Sequence, residues 1–239
     1  MSLVVPAVLP SSKADLTEKL NLFAAIPKIS RVQIDVVDGK FAAPASWPYT
    51  APEELERMVK EGATLPHLES ITYEIDLMCA DTVSAAGAWI ALGATRLTLH
   101  AESATDLSGL LATLRQRYGG GTARVPGLLT LGLALNVASS PALIEPYVQE
   151  VEYIQYMGIA RIGQQGQPLD ERVYEKIRSF RTRHPETPLQ VDGGITLDKA
   201  KKLVALGAAS LVIGSGILKA SDPIATVAAF EELETPFGV

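Results

Sequence analysis

The sequence predicts an α/β fold, a single (β/α)₈ TIM barrel that spans residues 1–239. Two observations support this prediction. Short runs rich in β-branched residues alternate with longer amphipathic segments, as in a parallel sheet with helical crossovers. In addition, no stretch rich in serine, proline or glycine separates two regimes of composition, so we find no linker. For a chain of 239 residues, closure of eight strands into one barrel is the natural arrangement.

Along the chain, each predicted strand is followed by an amphipathic segment that is predicted to be a helix. Two of the connections share a helix–LGA–strand pattern, in GAWIALGATRLTLHAE and KKLVALGAASLVIGSG, where glycine ends the helix before the next strand begins. The predicted strands are Leu3–Leu9, Arg31–Val37, Ile71–Met78, Arg96–His100, Leu129–Asn136, Tyr153–Ile159, Leu189–Asp192 and Ser210–Gly214. The predicted helices are Lys13–Ala25, Ala51–Glu61, Asp81–Leu92, Asp106–Tyr118, Pro141–Glu150, Asp170–His184, Leu197–Leu206 and Pro223–Leu233.

Composition and charge exclude several classes of protein. The only cysteine, Cys79, leaves no internal disulfide and is typical of a reducing compartment. No apolar run approaches the roughly 20 residues of a membrane-spanning helix, and no basic residues precede the first apolar stretch as in a secretory signal. With a net charge of −6 and no basic run, nucleic acid and anionic membranes are poor partners. We therefore expect a cytoplasmic protein.

Aspartates at the ends of separated strands are the candidates for catalysis. Asp35 lies in VQIDVVDGKF and Asp192 in LQVDGGI. Side chains alternate along a strand, so if these faces are interior, Asp35, Asp76, His100, Met157 and Asp192 all reach the same mouth of the barrel. A carboxylate inside an apolar strand is costly unless it is paired, hydrogen-bonded or bound to metal. For this reason we interpret these aspartates as functional.

Glycine-rich turns after three consecutive strands form a second candidate site. Glycine lets the backbone approach a ligand closely, and the loops after strands 7 and 8 are the usual phosphate site of a barrel. Together these turns predict a phosphorylated substrate. The residues are Gly163, Gln164, Gln165 and Gly166 after strand 6, Gly193 and Gly194 after strand 7, and Gly214 and Ser215 after strand 8.

The loop of residues 39–50 after strand 2 is long enough to carry function. Its Trp47 and Tyr49 invite the hypothesis of closure over a ligand, but local hydrophobic packing is the interpretation we favour. Asp38, which precedes Gly39, is interpreted as a turn former.

These motifs, in this order, resemble the ribulose-phosphate 3-epimerases along nearly the whole chain. The matching segments are VQIDVVDGKF, YEIDLM, LTLHAES, LGLALNVASSP, GQQGQ, QVDGGI and LVIGSGI. The resemblance implies that Asp35 removes the proton beside a ketose carbonyl to give an enediolate, and that Asp192 delivers a proton to the opposite face. It also implies that Met78 and Met157 line the intermediate and that the protein is a homo-oligomer.

The sequence departs from the family pattern at the metal site. The family holds a divalent metal with two histidines and two aspartates, but Gln33 and Asp76 stand at the two histidine positions here. None of the three histidines falls at a ligand position, and His100 matches a family histidine that is not a ligand. Ala7 stands where the family has a substrate-contacting serine.

Two arrangements remain open for the metal site. Gln33, Asp35, Asp76 and Asp192 form an all-oxygen set that suits Mg²⁺ or Mn²⁺ better than Zn²⁺. In the other arrangement no metal is bound, and Gln33 and Asp76 are hydrogen-bond partners. Three carboxylates so close together repel one another, so without a metal at least one must be protonated or paired.

The sequence supports an epimerase of a ketose phosphate, with two alternatives. The first is a phosphate-binding barrel without catalysis, which the lost histidines favour and the retained Asp35 and Asp192 disfavour. The second is a lyase similar to hexulose-phosphate synthase and orotidine-phosphate decarboxylase. Those enzymes resemble one another in an Asp-x-Lys-x-x-Asp strand motif, and the stretches DVVDGK and EIDLMC lack its interior lysine.

Overall fold

Eight parallel strands form a closed barrel, as predicted, in the computed structural model, which describes residues 2–119 and 129–233. Each strand pairs with the next along the chain, and the last pairs with the first. The strands are β1 (Val4–Val8), β2 (Arg31–Val37), β3 (Thr72–Met78), β4 (Arg96–His100), β5 (Thr130–Leu135), β6 (Tyr153–Met157), β7 (Leu189–Asp192) and β8 (Ser210–Ile213).

Helices follow the strands and cover the outside of the barrel. Several begin at a side-chain cap, such as Ser12, whose Oγ accepts the N–H of Asp15 at 3.1 Å. The helices are α1 (Lys13–Ala24), α2 (Pro52–Lys60), α3 (Thr82–Ala91), α4 (Leu107–Tyr118), α5 (Arg172–Arg183), α6 (Leu197–Ala205), α7 (Ser215–Leu218) and α8 (Pro223–Glu231). Among the residues described, no helix is both long enough and apolar enough to cross a membrane.

The predicted helix over Pro141–Glu150 is wrong as an α-helix. The structure has two 3₁₀ segments there, Pro141–Leu143 and Glu145–Glu150. Pro146 lacks an N–H, and inside an α-helix its ring would clash with the carbonyl four residues earlier. The sequence prediction also omitted α7, a short helix directly after β8.

The core has an apolar outer layer and a largely polar interior. Leucine, isoleucine, valine and aromatic side chains fill the space between sheet and helices. The interior is apolar beside β1 and β8, where Val5, Ala7 and Val212 pack together. Elsewhere the strands turn polar side chains inward, and these are buried: Gln33, Asp35, Glu74, Asp76, Thr98, His100, Gln155, Gln190 and Asp192.

The side chain of Tyr153 is also accommodated inside the barrel, against a glycine. A Cβ on Gly132 would lie 2.2 Å from the Tyr153 ring, so only glycine leaves room for it. The Tyr153 hydroxyl lies 2.7 Å from Thr98 Oγ1. This contact closes the interior below the polar layer.

Candidate active site

A pocket of about 390 Å³ opens at the carboxyl ends of the strands, the face where barrel enzymes react. Asp35 and Asp192 lie in its wall, whereas Gln33 and Asp76 are fully buried behind it. The predicted substrate-binding and phosphate-binding residues all line the pocket: Met78, Met157, Gly163, Gln164, Gln165, Gly166, Gly193, Gly194, Gly214 and Ser215.

The strand register arranges the interior polar residues in two tiers. On one side Asp35 pairs with Asp76 across β2 and β3, and on the other Met157 pairs with Asp192 across β6 and β7. The residue two positions earlier on each strand lies one tier deeper on the same face. The deeper tier consists of Gln33, Glu74, Gln155 and Gln190.

The three aspartates of the upper tier converge. Asp35, Asp76 and Asp192 each place a carboxylate oxygen within 4.8 Å of the others. The amide of Gln33 joins two of them, because its Nε2 donates to Asp35 Oδ1 at 2.8 Å and to Asp192 Oδ2 at 2.9 Å. The two predicted proton-transfer groups therefore face one pocket over a shared donor.

Burial and mutual repulsion hold protons on this pair. Burial, reinforced by the charge of Asp76, raises the pKa of Asp35 to about 7, while hydrogen bonds from Gln33 and Gln165 act in the opposite direction. Burial and the charges of Asp35 and Asp76 also raise the pKa of Asp192 well above its usual value. In the absence of a bound cation, the pair therefore carries both a proton and a negative charge near neutral pH.

Amide side chains fill the space beneath the aspartates and form a hydrogen-bonded layer. Gln155 Nε2 donates to Asp76 Oδ2 at 3.0 Å. Gln190 Nε2 lies 2.5 Å from Glu74 Oε1, 2.7 Å from Gln155 Oε1 and 3.3 Å from Gln33 Oε1. An amide nitrogen carries two protons, so the contact to Gln33 is the weakest of the three. Gln33 directs its nitrogen to the aspartates, and its oxygen faces the nitrogen of Gln190.

Glu74 anchors the amide layer from below. Its Oε2 lies 3.0 Å from Arg96 Nε and 3.8 Å from Arg31 Nη1. Burial alone would raise the pKa of Glu74, but the two guanidinium groups outweigh it and lower that pKa. An ionised Glu74 accepts hydrogen bonds only, so it requires Gln190 to turn its nitrogen downward.

His100 lies behind the aspartates as an interior residue, as predicted, and not in the pocket wall. Its Nε2 is 3.0 Å from Asp76 Oδ1, and its ring packs on Phe41 with centroids 5.4 Å apart. Burial disfavours the imidazolium, but Asp76 and the nearby Glu102 and Asp35 carboxylates outweigh it, so the pKa of His100 is raised.

The glycine turns approach the pocket closely, and one glutamine side chain folds into it. Gly194 has φ +71°, and a Cβ there would lie 2.4 Å from the Leu169 nitrogen, so this turn requires glycine. Gln165 Nε2 would lie 2.5 Å from a Cβ on Gly214, and the Gln165 side chain hydrogen-bonds Asp35. Gln165 thus connects the glycine turns with the carboxylate pair.

The loop after β2 packs against the body of the protein. Trp47 is buried, its ring meets Trp89 edge-on at 6.0 Å, and its Nε1 donates to Glu54 at 2.8 Å. Tyr49 is partly exposed and does not line the pocket. Asp38 accepts the N–H groups of Lys40 and Phe41, as expected of a turn former.

The donor chemistry of the site fits a divalent cation. Three carboxylates with oxygens within 4.8 Å of one another form an all-oxygen set of the kind that suits Mg²⁺ or Mn²⁺. Gln33 would join this set only after rotation of its amide, because its nitrogen faces the aspartates. The residues therefore fit a cation held by Asp35, Asp76 and Asp192, with Gln33 as a donor beside it.

The amide layer was not predicted from the sequence, although the sequence carries a signal for it. Each of the four strands that build the site has its functional side chain preceded, two residues earlier, by a glutamine or glutamate. The segments are QID on β2, EID on β3, QYM on β6 and QVD on β7. Polar residues repeated at the same step of a period-two pattern indicate a second polar tier on the interior face.

The chain matches the ribulose-phosphate 3 epimerase family over residues 3–218. It is similar to a ribulose-phosphate 3-epimerase of Aquifex aeolicus, with 27% identity over 192 residues that cover 79% of this chain and 77% of the relative. The corresponding protein of Mycobacterium leprae is 24% identical over 234 residues, covering 95% and 92%. The crystal structure of KGPDC from Streptococcus mutans shares the fold, with a TM-score of 0.63, 14% identity and coverage of 97% and 96%.

Proposed function

The chain belongs to the ribulose-phosphate 3-epimerase family, and from this membership we propose that it is an isomerase that inverts the carbon beside the carbonyl of a ketose phosphate. The observation that carries the proposal is the pair Asp35 and Asp192. Both are buried, both accept from the amide of Gln33, and both face the pocket that the glycine turns enclose. Two carboxyl groups at one carbon are what epimerisation requires.

The proposed reaction uses the two carboxyl groups in opposite protonation states. Ionised Asp35 takes the proton from the carbon, and the electron pair of the C–H bond becomes part of an enediolate. Protonated Asp192 then gives its proton to the opposite face of the same carbon. The enzyme is left with Asp35 protonated and Asp192 ionised, and it catalyses the reverse reaction from that state. The raised pKa values of both groups support this sharing of one proton near neutral pH.

The pocket walls support binding of the two ends of such a substrate. Met78 and Met157 present apolar surface beside the carboxyl pair, which keeps water away and strengthens electrostatic effects on the enediolate. The glycine turns after β6, β7 and β8 offer backbone N–H groups to a phosphate. In this proposal Gln165 lies between the phosphate and the reacting carbon.

A divalent cation is part of the proposal. Asp35, Asp76 and Asp192 would hold Mg²⁺ or Mn²⁺, which when bound would polarise the carbonyl and stabilise the negative charge of the enediolate. Calorimetric titration of the wild type with each cation should show binding that Asp76→Ala loses. If neither cation binds the wild type, the metal part of the proposal fails and the two-carboxylate reaction stands without it.

Solvent deuterium exchange into ribulose 5-phosphate and related pentulose and hexulose phosphates tests the reaction. Asp35→Asn and Asp192→Asn should each lower the rate of epimerisation by at least about 100-fold, because each removes a group that transfers a proton. Asp198→Asn, an exposed carboxylate on α6, serves as the matched control and should keep the wild-type rate.

Two results would contradict the proposal. Wild-type turnover in both site variants would refute the assignment of Asp35 and Asp192. A wild type that is inert toward every ketose phosphate, with and without Mg²⁺ or Mn²⁺, would favour the phosphate-binding barrel without catalysis. The lyase alternative receives no support from the pocket, since no lysine lines it among the described residues.

A cytoplasmic location and a homo-oligomeric state also belong to the proposal. The first rests on the single buried cysteine, which is typical of a reducing compartment, and the second on membership of the family. Sedimentation velocity of the purified chain tests the oligomeric state.

A further inference from the structure

A second cavity, of about 510 Å³, lies at the opposite end of the barrel from the candidate active site. Its wall includes the first residues of six strands, which places it at the amino-terminal mouth. We call it the amino-terminal cavity, and its volume is within the range of small-molecule sites. Its lining residues include Arg31, Arg96, Thr130, Tyr153, Leu189 and Ser210, which begin β2, β4, β5, β6, β7 and β8.

Two arginines in this wall use few of their hydrogen-bond donors within the protein. Arg31 Nη2 donates to Ser210 Oγ at 2.8 Å, and Arg96 Nε donates to Glu74 Oε2 at 3.0 Å. A guanidinium has five N–H donors, and within the part of the chain that the structure describes these are the hydrogen bonds that the two groups make. The side chains are 15% and 19% exposed, and both line the cavity.

The position of both guanidinium groups is set by their surroundings. Arg96 lies over the ring of Tyr153, with Cζ 4.5 Å from the centroid. Arg31 is held by Ser210 and by the same Glu74 carboxylate that Arg96 contacts. Donors held in place before a ligand arrives lose little conformational entropy when it binds.

The charges beside Arg31 and Arg96 leave room for an anion. The two guanidinium groups share one buried carboxylate, Glu74. Burial lowers the pKa of Arg31, and repulsion by Arg96 acts in the same direction. Glu152 also lines the cavity, and one of its oxygens accepts the N–H of Leu131 at 2.8 Å. A second pair, Arg181 and Glu186, lies in the same wall. Glu152 and Glu186 would repel a second anionic group on the ligand, and their oxygens can accept hydrogen bonds from hydroxyl or ammonium groups.

We propose that the amino-terminal cavity binds the phosphate group of a small metabolite through Arg31 and Arg96. Glu74, which does not line the cavity, already supplies a carboxylate to both guanidinium groups, so the ligand binds on their cavity side. A phosphate has three oxygens outside its ester bond, so it accepts hydrogen bonds from both arginine forks at once. The site is separate from the carboxyl-end pocket, and the proposal holds whether or not that pocket is catalytic.

Direct location of a bound oxyanion is the first test. Crystals of the whole chain are soaked with selenate, a tetrahedral oxyanion that is recognised by its anomalous signal. An anomalous peak in contact with Arg31 and Arg96 is expected. A peak at the glycine turns alone, with none in the amino-terminal cavity, would overturn the proposal.

Calorimetric titration with inorganic phosphate is the second test. Arg31→Lys keeps the charge beside Glu74, so the chain should fold, but it loses the fork that binds two oxygens. The affinity of the amino-terminal cavity for phosphate should fall at least about tenfold. Any heat from phosphate binding in the carboxyl-end pocket is common to all variants and does not account for a difference between them. Arg183→Lys, whose Nη1 contacts Glu145 on the surface, is the matched control and should bind as the wild type does.

Two results of the titrations would count against the proposal. Equal phosphate binding by the wild type and Arg31→Lys would overturn the proposal. Acetate that binds the amino-terminal cavity as tightly as phosphate would overturn the choice of a phosphate group.

Discussion

Replacement of Asp35 by asparagine tests the electrostatics on which the proposed reaction depends. The folded protein holds a proton on this carboxyl group up to a pKa of about 7, whereas the usual value is 3.8. Between these two values the unfolded chain is ionised and the folded chain is protonated. Folded protein therefore binds more protons than unfolded protein, and its free energy of unfolding must fall as the pH rises through this window.

The size of the effect follows from the shift. Each pKa unit corresponds to about 1.4 kcal/mol, so the shift of Asp35 costs at most about 4 kcal/mol at pH 8. Because the amide of asparagine does not ionise, Asp35→Asn should regain much of this cost at pH 8 and little at pH 4. The gain also includes a lower cost of ionising Asp192, because the charge of Asp35 contributes to the raised pKa of Asp192 and the substitution removes that charge.

Urea denaturation between pH 4.5 and 8.5, roughly the window that the shift defines, measures this directly. A chelator is present throughout, because a bound divalent cation would lower the pKa values of these carboxyl groups and so change the slope. Wild-type stability should fall by up to about 1.4 kcal/mol per pH unit for each such carboxyl, and Asp35→Asn should show a shallower slope. Asp198→Asn, at an exposed position on α6, should keep the wild-type slope.

A wild-type stability that stays level or rises between about pH 5 and 7, the centre of that window, would refute a protonated Asp35 in the folded protein. A slope in Asp35→Asn equal to that of the wild type would also refute it, because the slope would then come from other groups.

Three further substitutions test the structure around the site, each measured by urea denaturation at neutral pH. Glu74→Gln should destabilise the protein by about 3–5 kcal/mol, because it leaves two buried guanidinium groups without their carboxylate; a change below 1 kcal/mol, roughly the size of a surface pair, would contradict that role. Gly132→Ala should cost about 1–3 kcal/mol or more, because its Cβ would lie 2.2 Å from the ring of Tyr153; Tyr153→Phe combined with it should not restore stability, since the ring remains. Ser12→Ala should cost about 1 kcal/mol through loss of the N-cap to Asp15, whereas Ser12→Asp should retain the cap.

Much of the fold was predictable because it depends on local pattern and short connections. The alternation of apolar runs with amphipathic segments predicted all eight strands, and their order around the barrel follows from parallel pairing of neighbours. The segment Pro141–Glu150 was the exception, because its helical spacing of apolar residues concealed the effect of Pro146.

The positions of the candidate catalytic residues were predictable for a related reason. Asp35 and Asp192 end strands of one barrel, and the carboxyl ends of such strands meet at one mouth. Their common pocket with the glycine turns is therefore contained in the strand order. The amide layer was harder to predict from the sequence, because Gln33, Gln155 and Gln190 form their hydrogen bonds only when four strands bring them together.

The amino-acid sequence by itself determined the barrel, the pair of carboxylates and the glycine turns, because each depends on residue type at a regular spacing along the chain. Only the tertiary structure decided how these groups are charged and oriented. Gln33 turns its nitrogen toward Asp35 and Asp192, and Asp192 lies on another strand, 159 positions further along the chain. The pKa of Asp35 depends on burial and on a carboxylate 41 positions away along the chain, Asp76, which becomes its neighbour only when β2 pairs with β3.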